Sequence, residues 1–462
     1  MTNMDQQDSS SLGVVRESHV DYRYGWYTTA VLMLAYTFSF LDRQILNLMV
    51  GPIKADLVIT DLQFALLTGG AFGIFYTVMA LPIGWLADRY PRKWIISSGI
   101  ALWSLATAAC GLVRTFPGLL LARTGVGVGE ATLSPSAYSM LHDLFDKSRL
   151  PRAMSIYSVG IYIGAGIAMI LGGSVVAAIS RTPDVELPWV GSMRSWHLVF
   201  LVVGLPGLLL ALWVATLREP VRRAHAGEAT STAKPPFSFR RIWQFLAASP
   251  LMSVSLFVGS AMLAVMSYMD AWYPEVFIRT WGWDVQLTGT VNGATSLTAG
   301  PLGMLAAGWL ASRMIRRGQV DACLRVTAYA AAATIPAGVL MPLMPSGWSM
   351  ALMLLPLKFL GGFVPVLIPS AIQMVAPVAL RSQAGAVFML TVGLVGITLG
   401  PILPAFLNDY LFRDELALRY SLSLAAAVVA PLATLLLVVG IRQFRTRLLE
   451  LDEDAQAASR AQ

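Results

Sequence analysis

The chain has 462 residues, 56% of them hydrophobic and only 13% charged, with a mean hydropathy of +0.65 and a formal net charge of +7. Soluble domains carry about 25% charged residues, so a soluble multidomain protein is excluded. The basic residues lie in short loops between apolar runs and build no clustered basic face, so no nucleic-acid partner is expected. Apolar runs of about 20 residues span a bilayer as helices, and this chain has many of them. The class is a polytopic all-α membrane protein.

In chain order, residues 1–25 are polar and partly acidic, unlike a cleaved signal peptide. Twelve spans follow, at roughly 26–50, 63–87, 93–113, 117–140, 151–178, 195–216, 249–277, 287–312, 322–343, 348–372, 383–407 and 417–441. The longest non-apolar stretch, 217–248, is basic and contains Pro and small polar residues. It reads as a linker ending in an interfacial helix, and it separates two six-span halves, 26–216 and 249–441. Residues 442–462 form a second tail. Lys and Arg concentrate in the tails and the even-numbered connections. The other side holds Lys54, Arg114, Arg181, Arg194, Arg279, Arg413 and Arg419. The positive-inside rule then predicts cytoplasmic termini and a cytoplasmic linker. Two cysteines, Cys110 and Cys323, and four scattered histidines predict neither a disulfide framework nor a metal site, and no cofactor.

The halves carry a repeat. "GWLADRYPRK", Gly84 to Lys93, follows the second span, and "GWLASRMIRR", Gly308 to Arg317, follows the eighth. The offset of 224 aligns Gly84 with Gly308, Arg89 with Arg313 and Arg92 with Arg316, as expected of two related bundles.

Gly84-x-x-x-Asp88-Arg89-x-x-Arg92-Lys93 resembles the signature loop of the major facilitator superfamily. "RTGVGVG", Arg123 to Gly129, is similar to that family's span-four pattern, and Gly160, Gly164, Gly166, Gly172 and Gly173 to its glycine-rich span five. "FLDRQ", "GVGEA" and "SWHLVFLVVGLPGLLLALWVATLREP" resemble the Spinster-type branch and its bacterial relatives. The resemblance implies two pseudo-symmetric six-helix bundles. It also implies a conformational latch at Gly84, Asp88, Arg89, Arg92, Lys93 and Arg313, in which Asp88 meets the N-terminal end of span eleven when the cytoplasmic side closes. The second loop has Ser312 in place of Asp88, so one such latch is expected rather than two.

Away from the span ends, six charged residues lie within the hydrocarbon: Asp42, Arg43, Arg123, Glu130, Asp270 and Lys358. Each costs at least ~2.5 kcal/mol at a helix centre, so they are expected to face a polar interior and to pair. They occupy spans one, four, seven and ten, which line the central cavity in the family resembled. Arg123, Gly127, Glu130 and Ser134 share one helical stripe. Asp42 and Arg43 point about 100° apart, so they are expected to meet different partners. Arg123 has two readings, a brace between spans four and one or a member of the coupling set.

The resemblance assigns Asp42, Arg43 and Glu130, with Arg123, to proton coupling. The C-terminal positions at the same offset are Met266, Ser267 and Leu354, which suggests ion coupling in one half and more substrate contact in the other. Candidate substrate contacts are Arg43, Lys358, Asp270, Tyr36, Phe40 and Met266. The expected activity is secondary transport, not enzymatic catalysis. It moves a small organic or lipid-like, anionic substrate by alternating access with protons, in a monomer set among membrane lipids in a bacterial inner membrane. The alternatives are an uncoupled facilitator or multidrug exporter of the same fold, and a non-transporting receptor.

Overall fold

The computed structural model describes residues 22–87, 89–146, 149–179, 185–187, 191–220, 239–377 and 380–460. Its helices join end to end into twelve long rods. The first six are α1 (Tyr22–Asn47), α2 (Asp61–Ala87), α3 (Arg92–Cys110), α4 (116–144), α5 (Leu150–Ile179) and α6 (Ser195–Ala215). The second six are α7 (Pro250–Trp281), α8 (Val285–Arg316), α9 (Ala322–Leu343), α10 (Gly347–Val375), α11 (Gln383–Phe412) and α12 (Leu418–Arg460). Among the described residues nine of these, all but α1, α4 and α8, are long and apolar enough to cross a membrane. Two of the three exceptions, α1 and α4, hold Asp42, Arg43, Arg123 and Glu130, so the same charges that lower their hydropathy build the interior. Exposed leucines such as Leu121, Leu209 and Leu305 stud the outer surface, where lipid replaces water.

Short elements fill the connections. Val50–Leu57 is a helix of two turns after α1, and Val185–Leu187 pairs antiparallel with Gly191–Met193 between α5 and α6. The linker ends in the amphipathic helix Phe239–Ala248. The helix α12 continues to Arg460 through the segment read from sequence as a tail.

α4 is two helices, Phe116–Glu130 and Leu133–Leu144. Pro135 has no N–H to give the carbonyl of Ala131, so the ladder breaks immediately after Glu130. Upstream, a Cβ on Gly127 would lie 2.7 Å from the Phe72 carbonyl oxygen. Only glycine lets α2 run this close to α4.

Tyr22 Oη donates to Asp146 at 2.6 Å and Arg218 N–H to Tyr24 Oη at 2.5 Å. The start of α1, the α4–α5 connection and the end of α6 therefore share one face, called here the basic face. The halves meet along two helix pairs. α5 crosses α8 backbone to backbone: a Cβ on Gly293 would sit 2.4 Å from the Gly166 carbonyl. α2 meets α11 where a Cβ on Gly69 would sit 2.6 Å from the Thr398 carbonyl. Both helices carry a π-helical turn beside that crossing, Leu66–Ala71 and Val392–Ile397, a local widening that recurs at functional sites.

Candidate functional site

Ser39 and Arg43 are one turn apart on α1 and face α4. Both donate to the same Glu130 oxygen, Oε2: Ser39 Oγ at 2.5 Å, Arg43 Nε and Nη2 each at 2.6 Å. Glu130 is sealed from solvent, while the Arg43 side chain is 16% exposed. The guanidinium also lies over three rings, Phe40 at 4.9 Å and Phe72 and Tyr76 at 4.6 Å each. These faces hold the cation in place on the side away from its carboxylate.

Asp42, one position along, turns to α3 and accepts from Thr107 Oγ1 at 3.2 Å. It is buried, within the electrostatic field of Glu130 and Arg123. Arg123 is buried too, and among the described residues its Nε and Nη1 have no hydrogen-bond partner, nor does Glu130 Oε1. Its guanidinium sits 5.5 Å from the Phe72 ring centre. Two carboxylates and two guanidiniums are thus gathered between α1, α3 and α4 with unused hydrogen-bonding capacity. Unpaired capacity at such depth is costly, and it leaves a place for a proton or a polar ligand.

An aromatic wall adjoins this cluster. Tyr36 stacks on Tyr157 with ring centres 4.8 Å apart, and Tyr138 packs edge-on to Tyr157 at 5.4 Å. Tyr36 meets Phe40 edge-on at 5.4 Å, and Ser134 Oγ is 3.3 Å from Tyr157 Oη.

In the C-terminal half, Lys358 on α10 donates to Ser296 of α8 at 2.7 Å and to Asp270 of α7 at 3.3 Å. Asp270 is 30% exposed and Lys358 12%. These charges sit one helical turn beyond Met266 and Leu354, the aligned positions. Met266 is buried, with its Cε toward Gly338 of α9.

On the basic face, Arg89 stacks on Trp85 at 3.7 Å and Arg313 on Trp309 at 5.2 Å. The repeat thus reappears as the same i,i+4 cation–π pair in each half. Space is open around Gly84 and Gly308. Arg92 is buried within its own half, bonded to Asp143, to Glu219 at 2.8 Å and to the Ser139 carbonyl at 3.0 Å. Lys93 N–H donates to Glu219 at 3.0 Å. Asp88 lies outside the described residues.

The opposite face holds a cluster that sequence reasoning missed. Asp61, fully buried at the start of α2, receives Arg279 through both terminal nitrogens at 2.8 Å, Lys54 at 2.5 Å and Asn408 at 2.8 Å. Lys54 also reaches Glu415 at 2.7 Å, and Leu62 N–H reaches Asp409 at 2.7 Å. Arg279, Asn408, Asp409 and Glu415 belong to the other half, so this cluster ties the halves together. The available signal was the scarcity of cations on that face, where Lys54 and Arg279 are two of seven.

The sequence model described as Major Facilitator Superfamily matches residues 32–401. The chain belongs to the Major Facilitator Superfamily. It is a multi-pass integral membrane transporter of that superfamily with a Spinster-like sequence. It is 26% identical over 398 residues to an "MFS-type efflux pump" of Mycolicibacterium smegmatis, covering 85% of this chain and 86% of that one. It is 26% identical to "Protein spinster" of Drosophila melanogaster, over 64% of this chain and 47% of the relative; the match therefore spans about half of that protein. A "D-galactonate transporter" of Escherichia coli is 23% identical, over 91% and 97% of the two chains. A solved bacterial homolog of human Spinster, described as inward-facing and unoccupied, superposes with a TM-score of 0.75 at 24% identity, covering 93% of this chain and 98% of that one. At that identity the likeness is one of fold.

Proposed function

We propose that this superfamily transporter is a proton-coupled carrier of a small anionic, organic or amphiphilic molecule, working by alternating access with its basic face and both termini in the cytoplasm. The half-satisfied carboxylate Glu130 carries the reading. While ionised, it holds Arg43 and Ser39 through one oxygen. When protonated it releases Arg43, whose guanidinium then faces the aromatic wall of Tyr36, Tyr138 and Tyr157 as an anion site. Asp42 and Arg123 complete a set whose net charge changes by one when a proton enters. The halves, 26–216 and 249–441, rock about the α2–α11 and α5–α8 crossings. The Asp61 cluster ties the halves together on the outer side, an arrangement suited to a cytoplasm-open state.

Lys358 and Asp270 supply a second anion subsite, with Asp270 standing in for the ligand's carboxylate when the site is empty. Relatives named as galactonate transporters support a sugar acid, and those named spinster support an amphiphile. D-galactonate and a lysophospholipid are the first two probes. The test is labelled-probe transport in proteoliposomes with an imposed pH gradient, after a binding screen by thermal shift. Gradient-driven accumulation that Glu130→Gln abolishes, with counterflow retained, is the expected result. Accumulation by Glu130→Gln equal to the parent removes the coupling assignment. The efflux-pump relative favours a second reading, uncoupled or drug-exporting, in which the pH gradient drives nothing.

A further inference from the structure

The helix Phe239–Ala248 is amphipathic: Ile242 is buried, whereas Arg240, Arg241 and Trp243 are exposed, Trp243 by 61%. Basic helices with tryptophan settle at the headgroup level of a bilayer. Beside it a groove of about 430 Å³ runs between this helix, the start of α7, the α10–α11 connection and the far end of α12. Its depth is apolar, with Met252 and Leu380 buried and Phe245 half-buried. Arg241 and Arg447 line it from two different elements, with Gln244 and Ser249 between them. No carboxylate lines it among the described residues; Arg447 shares one nitrogen with Glu450 outside it, at 3.0 Å. Two cations over an apolar floor, at the membrane end of a helix bundle, match a lipid phosphate above its acyl chains.

The geometry points to this groove as a seat for one anionic phospholipid of the adjoining leaflet, its phosphate between Arg241 and Arg447 and its chains over Met252 and Leu380. A lipid held here staples the linker helix to α7 and α12.

The test compares the unfolding midpoint of the full chain in vesicles of phosphatidylethanolamine alone and in an equimolar mixture with phosphatidylglycerol. The mixture is expected to raise the midpoint. Arg241→Gln with Arg447→Gln should lose most of that rise while keeping the parent midpoint in phosphatidylethanolamine. Should that pair fold poorly, Ala248→Phe fills the groove with its charge intact and should lose the rise as well. Arg240→Gln with Arg445→Gln, exposed cations outside the groove, should retain it. No rise for the parent, a rise kept by both groove variants, or an equal loss in the outside pair would each overturn the assignment. So would an equal rise given by inorganic phosphate in detergent.

Discussion

The two halves solve the cost of intramembrane charge differently. In the N-terminal half the charges are buried and crowded, with Glu130 held by Ser39 and Arg43, and Asp42 and Arg123 close by. In the C-terminal half Lys358 pairs with Asp270 at a longer 3.3 Å, with the carboxylate 30% exposed. The buried carboxylate Glu130 interacts with its partners almost unscreened. The carboxylate of Asp270 is partly open to solvent, so part of its Coulomb energy with Lys358 is screened. The proposed division of labour between coupling and substrate contact rests on that contrast.

The sharpest way to break the comparison is Glu130→Gln, expected to bring gradient-driven uptake down to that of protein-free vesicles. Asp270→Asn should leave coupling in place and tighten binding of the anionic probe, since Lys358 loses its internal competitor. Lys358→Met should weaken that binding. Equal effects of Glu130→Gln and Asp270→Asn on coupling would erase the distinction between the halves.

The next effect concerns the faces. Removing one partner of a buried ion pair costs about 3–5 kcal/mol, so Asp61→Ala should destabilise the state closed on the Asp61 side. A cysteine placed at Ile59, buried in this structure, should be labelled faster in Asp61→Ala as that face opens, whereas Asp88→Asn should shift the population the other way and slow it. Two variants moving labelling in the same direction would contradict opposed latches. A smaller loss is expected from Gly127→Ala. Forcing a methyl against the Phe72 carbonyl costs about 1–3 kcal/mol, read as a lower unfolding midpoint. The smallest effect is that of Trp309→Ala, where an exposed cation–π pair contributes about 0.5–1 kcal/mol.

Much of this architecture could be read from residues because bilayer thickness sets run length. The expected span 322–343 coincides with α9, and 195–216 differs from α6 by one residue. The intramembrane charges were legible one by one, since each is costly without a partner. Their partners were less so. Periodicity places Met266 on a stripe of α7 but does not say whether that stripe faces the charges or α9. The Asp61 cluster left only a faint signal, the scarcity of cations on its face: its members come from positions as far apart as 54 and 415, and each alone looks like an ordinary loop charge. Apolarity was also the wrong signal for the end of α12, where polar helix-formers carry the helix to Arg460.

The meeting of Gly166 with Gly293 has a mechanical consequence. Most protein interfaces are notched by side chains sitting in rotamer wells, and sliding one surface past the other means climbing out of each notch. Here main chain touches main chain at one crossing, and side chains seat on either side of it: Leu297 against Gly166, Ile170 against Gly293 and Tyr162 against Gly300. Sliding α5 along α8 would lift all three out of their seats, whereas turning about the glycine contact would disturb them least.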